Sequence, residues 1–482
     1  MVLDINLIRS PNTLEIVRQS HTQRYGKSSD IDDLISHDNE FRSTTVTINN
    51  HSKLENTIKR ILGIRMKAKN KNPDTQDTDV LLASSLIDAI PHIDQTILET
   101  LPTNILIKLS QLSQVTKHDL TNTLHLHEKS RDTLLRRIGN ILHESVPFGP
   151  DDDSNVIVLT HDVVNIPIEP NLQFQLQLQL QFQPNLPHYE LIKMIDGVDT
   201  TAGSKIAGNR GYFLKGPLVY LSHALQQFAL RILDDADFVA IQTPYFMNHD
   251  VMSSVAQLSQ FDEELYKIVC SDQDVFNTKY LIATSEQPLT ALHAGEKMSH
   301  RKLPIKYAGI STCFRKEAGR HGKDMSGIFR VHQFEKIEQF IICSVDESWD
   351  HLELMLKNST TFLDLLDISY RVVNIASGEL NLAAAKKYDV EGWFPSSKTY
   401  RELVSCSNCT DYHSRNLNIK YIPKGKNESN ATHVHMLNST MCAITRMICI
   451  ILENYQTDKG IVVPEVLRSY MPKRYRELIP FI

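Results

Sequence analysis

The sequence predicts an α+β protein in which a helical N-terminal domain precedes an antiparallel β-sheet flanked by helices. Three observations indicate this fold class: helical spacing of apolar residues before residue 150, short β-rich runs mixed with helices after Pro187, and a turn-rich segment between them. Strands and helices do not alternate regularly after Pro187, which disfavours a parallel doubly wound sheet. The 482 residues suggest two or three domains, at roughly 100–200 residues each.

Apolar residues of the N-terminal domain, residues 1–150, recur with helical spacing in two places. The residues concerned are Leu54, Ile58, Ile61 and Leu62 in the first run, and Leu134, Leu135, Ile138, Ile141 and Leu142 in the second. Pro91 and Pro102 lie between the runs and should interrupt any helix there. We therefore predict long helices separated by proline breaks.

The chain carries a formal net charge of −6, which by itself argues against a nucleic-acid-binding protein. A whole-chain average can nevertheless hide a local basic face, and residues 59–71 contain six lysines and arginines. This run is either the solvated face of a helix or an arm that contacts nucleic-acid phosphates. The sequence leaves both interpretations open.

The segment between the two domains, residues 151–186, is interpreted as a linker and low-complexity entry segment. It begins within the turn-rich run Pro147–Asp153. Residues 172–183 alternate Leu or Phe with Gln, which is typical of a half-buried strand but also of a low-complexity insert. The second domain is predicted to cover residues 187–482.

Cysteine usage and targeting signals indicate the compartment. The seven cysteines are odd in number and scattered, unlike a secreted disulfide framework. The N-terminus lacks the apolar core of a signal peptide, and no stretch reaches the roughly 18 apolar residues of a membrane span. We expect a soluble, cytoplasmic protein without membrane contact.

Charged residues concentrate in two predicted strands joined by a glycine-rich connector. On a strand, residues two or four apart share a face, so Arg315 and Glu317 would point the same way, as would Arg330, Phe334 and Glu338. Arginine binds phosphate oxygens bidentately, and phenylalanine can stack on a base. Taken alone, such a hairpin could equally be a surface element with cross-strand salt bridges. The chain has neither of the common glycine-loop nucleotide motifs.

The hairpin segments resemble the second signature motif of class II aminoacyl-tRNA synthetases. The wider sequence, from about Pro187 to Ile482, is similar to the seryl enzyme of the eukaryotic cytosolic type. The matching segments begin at Thr284 (Thr-Ser-Glu-Gln-Pro), Phe334 (Phe-Glu-Lys-Ile-Glu), Ser377 (Ser-Gly-Glu-Leu-Asn), Glu402 (Glu-Leu-Val-Ser-Cys-Ser-Asn-Cys), Leu437 (Leu-Asn-Ser-Thr), Leu452 (Leu-Glu-Asn-Tyr-Gln) and Val463 (Val-Pro-Glu-Val-Leu-Arg). This resemblance implies serine activation with ATP, followed by transfer to tRNA(Ser); it leaves open whether selenocysteine tRNA is also a substrate.

The resemblance implies an ATP site with three catalytic arginines. Arg315 would bridge the α-phosphate and the serine carboxylate, Arg330 would hold the γ-phosphate, and Arg468 would cover adenine opposite Phe334. Glu402 and Ser405 would hold Mg²⁺, whose hard character suits oxygen ligands. The complete expected set is Arg315, Lys316, Glu317, Arg330, Val331, His332, Gln333, Phe334, Glu402, Leu403, Val404, Ser405 and Arg468.

The resemblance also implies the serine-binding residues, which are Thr284, Glu286, Arg315, Glu338, Asn438 and Thr440. Glu286 would meet the ammonium group, and Glu338 and Thr440 would bond the hydroxyl. Alanine would then be rejected, because it leaves buried polar groups without a partner. Activation needs no general base, since the serine carboxylate is already ionised, so no histidine is expected to be catalytic.

Further implications concern partners and metals. The helix and strand at Leu221–Leu233 and Phe238–Pro244 resemble the first class II motif, which predicts a homodimer. The N-terminal domain would form an antiparallel coiled-coil arm that binds tRNA(Ser). Cys406-x-x-Cys409 with His433-x-His435 raises a zinc hypothesis, but the family carries this cysteine pair without metal, so no zinc is expected.

Two alternative functions compete with this one. A synthetase-like paralogue could bind tRNA or proteins without making adenylate, although the expected catalytic residues are present. A carrier-protein ligase on the same core would lack the helical arm and would use zinc in its amino-acid pocket. Amino-acid-dependent pyrophosphate exchange separates the active enzyme from the non-catalytic paralogue, and the helical N-terminal region and the carboxylate and hydroxyl pocket argue against the carrier-protein ligase.

Overall fold

The computed structural model describes residues 3–67, 95–163, 185–257, 264–269, 278–317 and 326–482. The chain divides into two compact units. We call them the helical unit, Ile5–Arg18 with Gly26–Ile138, and the sheet unit, Met1–Asp4 with Gln19–Tyr25 and Gly139–Ile482. No helix among the described residues is both long and apolar enough to cross a membrane.

Two long helices dominate the helical unit. The helices are Ile5–Arg9 (α1), Pro11–Gln23 (α2, with residues 11–18 in this unit), Ser28–Lys67 (α3), Gln95–Thr100 (α4) and Thr103–Leu135 (α5). Helices α3 and α5 run antiparallel, because His51 lies beside Ser113 whereas Arg65 lies beside Thr103. Their contact buries an apolar cluster made of Leu54, Ile58, Ile61, Leu98, Leu106 and Leu109. The predicted helical N-terminal region is thus confirmed as an antiparallel hairpin.

The predicted helix break at Pro102 is confirmed, since this proline is the N-cap of α5, where its missing amide proton costs nothing. The second periodic run is only partly helical. Helix α5 ends at Leu135, so the helix predicted through Ile138, Ile141 and Leu142 is wrong. Glycine and asparagine at 139–140 do not favour helix continuation, and the Asn140 side chain instead donates to two backbone carbonyls at 2.8 Å. Pro91 lies outside the described residues.

Only part of the basic run 59–71 is described, up to Lys67. Lys59, Arg60 and Lys67 are exposed. Arg65 has a structural role, because its guanidinium donates to the carbonyls of Leu101 at 2.8 Å and Glu99 at 2.7 Å. Three exposed cations therefore remain as candidates for phosphate contact.

The sheet unit is built on eight strands in the order β1-β11-β12-β13-β16-β10-β9-β4. These strands are Val156–His161 (β1), Val239–Gln242 (β4), Ile305–Phe314 (β9), Gln333–Cys343 (β10), Tyr370–Asn374 (β11), Lys386–Phe394 (β12), Thr399–Asn408 (β13) and His435–Ala443 (β16). All neighbours pair antiparallel except β4, which runs parallel to β9. This confirms the predicted antiparallel sheet.

Short strands form four smaller sheets around the large one. They are Val198–Asp199 (β2), Phe213–Leu214 (β3), Phe246–Asn248 (β5), Lys267–Ile268 (β6), Lys279–Leu281 (β7), Lys297–Ser299 (β8), Lys420–Ile422 (β14), Thr432–His433 (β15), Gly460–Val462 (β17) and Leu478–Pro480 (β18). The segment interpreted as a linker contributes β1, an edge strand, while residues 172–183 lie outside the described part.

The sheet unit also contains helices. They are His188–Met194 (α6), Thr200–Ala207 (α7), Pro217–Asp235 (α8), His249–Val255 (α9), Glu286–Ala291 (α10), Ser348–Leu365 (α11), Tyr412–Asn416 (α12) and Ile444–Asn454 (α13). One core joins α8, α11 and α13 to the central strands, with Phe228, Phe362 and Ile448 fully buried. The apolar core that stabilises the unit therefore lies between these helices and the central strands. Side chains of the central strands that do not belong to this core are available to form a site.

Candidate active site

Four neighbouring strands, β13, β16, β10 and β9, form the floor of the site. Glu338 on β10 lies directly opposite Thr440 on β16 and Gly309 on β9. The register between β10 and β16 shifts next to Glu338, so one extra residue on β16 interrupts the ladder. Such bulges re-aim side chains beside functional sites.

The first half of the site, which we call the carboxylate pocket, brings together Glu286, Glu338, Asn438 and Thr440. Asn438 donates through Nδ2 to Glu286 Oε1 at 2.9 Å, and Thr440 donates to Glu338 Oε1 at 3.4 Å. Thr284 accepts a bond from the Glu286 amide at 3.2 Å, at the start of α10. The residues that the sequence assigned to an amino-acid pocket therefore lie together.

Two carboxylates in one pocket affect each other. Burial, reinforced by the nearby negative charge of Glu338, raises the pKa of Glu286 from 4.5 to about 7. Lys336 and Arg315 act in the opposite sense, because their positive charges favour the ionised carboxyl group. A bound ammonium group would complete the charge compensation at Glu286.

Lys336 is a residue of this pocket that the sequence analysis missed. Its Nζ contacts Glu338 Oε1, and the side chains of Lys336 and Glu338 are 8% and 3% exposed. The signal was available in the sequence, since Lys336 lies between Phe334 and Glu338 in the two-residue period of one strand face.

The second half of the site, which we call the arginine cleft, contains Arg315, Glu317, Arg330 and Phe334. Arg330 Nη1 lies 3.1 Å from Glu317 Oε2, and the Arg315 guanidinium lies 5.5 Å from the centre of the Phe334 ring. The prediction that Arg315, Glu317 and Arg330 lie on strands is wrong. Strand β9 ends at Phe314 and β10 begins at Gln333, so these three residues belong to the connecting segments.

The backbone explains why the strand stops at this point. Glu317 has a φ of 50°, in the left-handed region, which a β-strand cannot continue through. The Arg315 amide still donates to the His332 carbonyl at 2.9 Å, in register with the β9–β10 ladder, whereas the Lys316 amide donates to the Glu264 carbonyl at 2.9 Å. The chain therefore leaves the ladder at Lys316, immediately before the left-handed Glu317.

Strand β13 lines the arginine cleft with Glu402 and Leu403, and Ser405 follows on the same strand. The register between β12 and β13 shifts beside Leu403, so residues three apart can act on one face. Asp389 on β12 lies opposite Ser405, and its Oδ2 lies 3.1 Å from Lys387 Nζ, while its Oδ1 is buried without a partner in the described part of the chain. Burial raises the pKa of Glu402, but Arg446, Lys387, Arg315 and Lys336 outweigh it, and the net shift is downward.

The remaining expected residues divide between two cavities. Val331 and Leu403 line the arginine cleft, and Val404 is buried in the core beneath it. His332 and Gln333 instead line a neighbouring cavity of about 690 Å³, together with Tyr212 and Tyr266. His332 Nδ1 lies 2.9 Å from the Arg315 carbonyl oxygen.

Arg468 and Arg446 are the two candidates for the arginine that lies at the wall of the cleft. Arg468 lies in the 3₁₀ helix Glu465–Tyr470, where its Nε donates to the Val463 carbonyl at 3.1 Å, and it is not among the described residues that line the cleft. Arg446, at the start of α13, does line it. Its guanidinium donates to the Glu402 carbonyl at 2.9 Å and lies 4.9 Å from the centre of the Phe329 ring. No spacing rule singled out Arg446 in the sequence.

The cysteine pair adjoins the carboxylate pocket. Cys409 Sγ accepts from Asn438 Nδ2 at 3.6 Å, and Cys406 Sγ lies 3.7 Å from the Leu352 carbonyl oxygen. His435 Nδ1 lies 2.8 Å from Ser348 Oγ. Within the described residues, no group of three or more histidines, cysteines or carboxylates is arranged to hold a metal ion.

An antiparallel sheet carrying paired arginines and carboxylates at its centre is the architecture of a class II aminoacyl-tRNA synthetase. Residues 266–455 match the family model of the tRNA synthetase class II core domain (G, H, P, S and T). Residues 2–99 match the seryl-tRNA synthetase N-terminal domain.

Similar proteins narrow this class to one family. The cytoplasmic serine–tRNA ligases of Bos taurus and Homo sapiens are each 44% identical to this chain, over 100% of it and 92% of the relative. The crystal structure of cytoplasmic serine–tRNA ligase from Naegleria fowleri in complex with AMP is 41% identical, with a TM-score of 0.84, and covers 100% of this chain and 99% of the other. The structure of seryl-tRNA synthetase from Pyrococcus horikoshii complexed with ATP is 33% identical, with a TM-score of 0.82, over 100% of both chains. This chain belongs to the seryl-tRNA synthetase family.

Proposed function

We propose that this protein activates L-serine with ATP and transfers the seryl group to tRNA(Ser) in the cytoplasm. A serine carboxylate oxygen attacks the α-phosphorus of ATP, and pyrophosphate leaves with the electrons of the broken bond. A ribose hydroxyl at the 3′ end of the tRNA then attacks the seryl carbonyl, and AMP leaves. The observation that carries this proposal is the carboxylate pocket, which lies directly beside the arginine cleft on one sheet.

Serine fits the carboxylate pocket by charge and by hydrogen bonding. The ammonium group would pair with Glu286, which Asn438 orients at 2.9 Å. The hydroxyl would bond Glu338 and Thr440, and the carboxylate would face Arg315. Thr284, at the start of α10, orders the backbone beside Glu286. Alanine lacks the hydroxyl, so Glu338 and Thr440 would lose a partner, which costs more than a missing methylene.

ATP would occupy the arginine cleft after its side chains exchange partners. The cleft now measures about 40 Å³, far less than the roughly 300 Å³ or more of a typical ligand site. Arg330 would leave Glu317 for the γ-phosphate, and Glu317 would accept from the adenine amino group. Arg315 would move from the Phe334 ring towards the α-phosphate, freeing that ring for adenine. Once placed beside the phosphates, these cations would stabilise the charge that develops during phosphoryl chemistry.

We propose Arg446 as the cation that covers the second face of adenine. Its position on the cleft wall supports this role, whereas Arg468 remains a prediction from sequence. A guanidinium over an aromatic base is a favourable arrangement.

Magnesium fits the acidic wall of the cleft. Glu402 and Ser405 would hold it, and the buried, unpaired Asp389 Oδ1 supports an oxygen-rich site for a hard cation. When bound, Mg²⁺ would neutralise phosphate charge. We propose no zinc, because the Cys409 and Cys406 thiols already face Asn438 and a backbone carbonyl.

The proposed division of labour follows the domains expected from sequence. Residues 1–150 would bind tRNA(Ser), residues 151–186 would connect, and residues 187–482 would catalyse. The exposed cations Lys59, Arg60 and Lys67 on α3 are candidates for contact with the tRNA backbone.

We propose a homodimer that forms through α8 and β4. The edge strand β4 leaves Val239 63% exposed, and Phe246 and Tyr220 nearby are 49% and 39% exposed. Unpaired strand edges and apolar patches of this kind mark association surfaces.

The first test is amino-acid-dependent ATP–pyrophosphate exchange with serine, alanine, threonine, glycine and cysteine in the presence of Mg²⁺. We expect exchange with serine alone. Exchange with none of the five, from a folded dimer, would favour a non-catalytic paralogue. Transfer of an activated amino acid to a carrier protein instead of tRNA would favour the carrier-protein ligase.

The second test shortens the helical hairpin. Residues 40 and 130 lie opposite each other across α3 and α5, since the Arg131 guanidinium lies 4.3 Å from the centre of the Phe41 ring. A short loop replacing residues 40–130 should therefore close the hairpin without spreading its ends. We expect full serine-dependent exchange and loss of tRNA(Ser) charging. Charging at the full-length rate would contradict the tRNA-binding role.

A further inference from the structure

Lys336 is a buried cation of the site for which the reaction described above has no role. Its side chain is 8% exposed, and its Nζ contacts Glu338 Oε1. Buried lysines are rare in proteins, because removing an ammonium group from water is costly unless a partner compensates its charge. An uncharged residue would be less costly to bury at this position, so the presence of Lys336 calls for a physical reason.

Strand geometry directs Lys336 and Glu338 to the same place. They lie two residues apart on β10, so their side chains leave the same face of the sheet. The neighbouring strands place small residues beside them: Ser311 opposite Lys336 and Gly309 opposite Glu338. A Cβ on Gly309 would approach Ser285 Oγ to 2.7 Å, so this part of the floor has no room for larger groups. The pair is therefore held by its surroundings as well as by its charges.

Both contacts on Glu338 fall on the same oxygen. Lys336 Nζ and Thr440 Oγ1 each donate to Oε1. This leaves Oε2 as the acceptor for the hydroxyl of an amino acid. An ion pair with Lys336 thus fixes which oxygen faces the ligand.

Lys336 contributes to the charge compensation of the carboxylate pocket. The positive charges of Lys336 and Arg315 both favour the ionised form of Glu286, and Lys336 also contacts Glu338. Cys313 on β9 and Glu402 on β13 also lie within the electrostatic reach of Lys336. Without Lys336, Arg315 alone would oppose the effects of burial and of the Glu338 charge on Glu286, which would take up a proton more readily. A protonated Glu286 cannot bind an ammonium group as an ion pair.

We propose that Lys336 is a positioning residue that sets the affinity for serine and the discrimination against alanine by orienting and neutralising Glu338. Lys336 also lines the arginine cleft, but in this role it acts through Glu338 and not on the reacting atoms. This proposal rests on the proposed function, because it assigns Glu338 to the serine hydroxyl. Lys336 would thus influence specificity through a residue that contacts the substrate, without contacting the substrate itself.

The test compares Lys336→Met with the wild type in ATP–pyrophosphate exchange. Hydrogen bonds to charged groups suggest a rise in KM for serine of roughly 10–150-fold, with KM for ATP little changed. The ratio of kcat/KM for serine to that for alanine should fall, since Glu338 no longer distinguishes the hydroxyl well. The acid limb of kcat/KM for serine should move to higher pH, because Glu286 loses a compensating positive charge. Lys336→Arg, which keeps the charge, should recover part of the serine affinity.

A double-mutant cycle separates this role from a direct contact with ATP. If Lys336 acts through Glu338, then Lys336→Met should have little further effect on KM for serine in a Glu338→Gln background. Lys297→Met is the matched control, since it removes a lysine from an exposed pair with Glu428 at 3.5 Å, and it should leave every parameter unchanged.

Several outcomes would overturn the proposal. A raised KM for ATP with normal KM for serine and an unchanged serine/alanine ratio would assign Lys336 to the nucleotide. Additive effects in the cycle would also refute coupling through Glu338. If Lys336→Met fails to fold, Lys336→Gln replaces it in the same cycle. Wild-type protein that shows no serine-dependent exchange would refute the proposed function itself, which is a distinct result.

Discussion

The carboxylate pocket and the arginine cleft lie on the same sheet, yet they are built differently. Pocket residues Glu338, Asn438 and Thr440 stand on strands, where cross-strand pairing fixes their positions. Cleft residues Arg315, Glu317 and Arg330 stand in connecting segments beyond the strand ends. The pocket is therefore formed before its ligand arrives, whereas the cleft must rearrange.

The two halves also differ in how their charges are paired. In the pocket, Asn438 and Lys336 hold the carboxylates in orientations that suit an ammonium group and a hydroxyl. In the cleft, Arg330 and Glu317 neutralise each other, and Arg315 covers the Phe334 ring. Ligand binding should thus add partners in the pocket and exchange partners in the cleft. A substitution in one half should therefore leave ligand binding in the other half unchanged, except at Arg315, which adjoins both.

The largest effect is expected at Arg315, which adjoins both halves. Its Nε donates to the Ala283 carbonyl at 3.3 Å, and its charge acts on both Glu286 and Glu402. Arg315→Ala should reduce serine-dependent exchange at least about 100-fold, because a cation that stabilises the charge at the reacting phosphate is lost. Gel filtration and thermal unfolding should show an unchanged fold and oligomeric state. A nearly normal exchange rate would remove Arg315 from the catalytic role.

A smaller effect confined to the pocket is expected for Thr440→Val. This substitution keeps the shape but removes the hydroxyl that bonds Glu338. KM for serine should rise roughly 10-fold or more, while KM for ATP stays constant. Thr399→Val, at the exposed start of β13, is the control. An equal rise in KM for ATP would mean that the two halves are not separable.

The pocket and the cleft differ in how far the sequence predicts them. Glu338 was assigned to the correct strand face because the two-residue period of β10 is regular. The same rule misplaced Arg315, Glu317 and Arg330, because a left-handed Glu317 ends strand pairing and no spacing reveals that conformation. Bulges beside Glu338 and Leu403 also change which residues share a face of the sheet. The two-residue period of a strand does not predict where a bulge occurs.

In the helical unit, too, local sequence patterns predicted the helices better than their ends or the roles of charged residues. Apolar spacing predicted α3 and its buried Leu54, Ile58 and Ile61, and Pro102 predicted the start of α5. The continuation of α5 past Leu135 was wrong, because Ile138 is buried, and Ile141 and Leu142 are partly buried, after the helix has ended. Arg65 looked like a surface cation but holds two carbonyls of a neighbouring segment. Local pattern predicts elements, while tertiary partners decide what a charged residue does.

A moderate effect in the cleft should decide between Arg446 and Arg468. Arg446→Ala should raise KM for ATP by about 10-fold, the scale of one lost cation–π contact with a desolvated base. Serine KM should stay near the wild-type value. Arg468→Ala should change KM for ATP less, since Arg468 bonds a backbone carbonyl away from the cleft wall. The reverse order of effects would restore Arg468 to the adenine site.

The smallest effect is the response of serine binding to pH. The ordinary glutamate pKa of 4.5 is raised to about 7 at Glu286, first by burial and then by the charge of Glu338. In the ligand-free pocket, this carboxyl group is therefore increasingly protonated as the pH falls below about 7. A protonated Glu286 cannot pair with an ammonium group, so KM for serine should be constant at alkaline pH and rise as the pH falls, approaching 10-fold per unit.

KM for ATP, measured over pH 6 to 8.5 in the same exchange assay, should not follow this curve, because Glu286 belongs to the pocket. Glu286→Gln should bind serine weakly and lose the acid limb. A KM for serine that is flat between pH 6 and 8 would mean that the positive charges of Lys336 and Arg315 keep Glu286 ionised without a ligand, and that the pocket is fully balanced before serine enters.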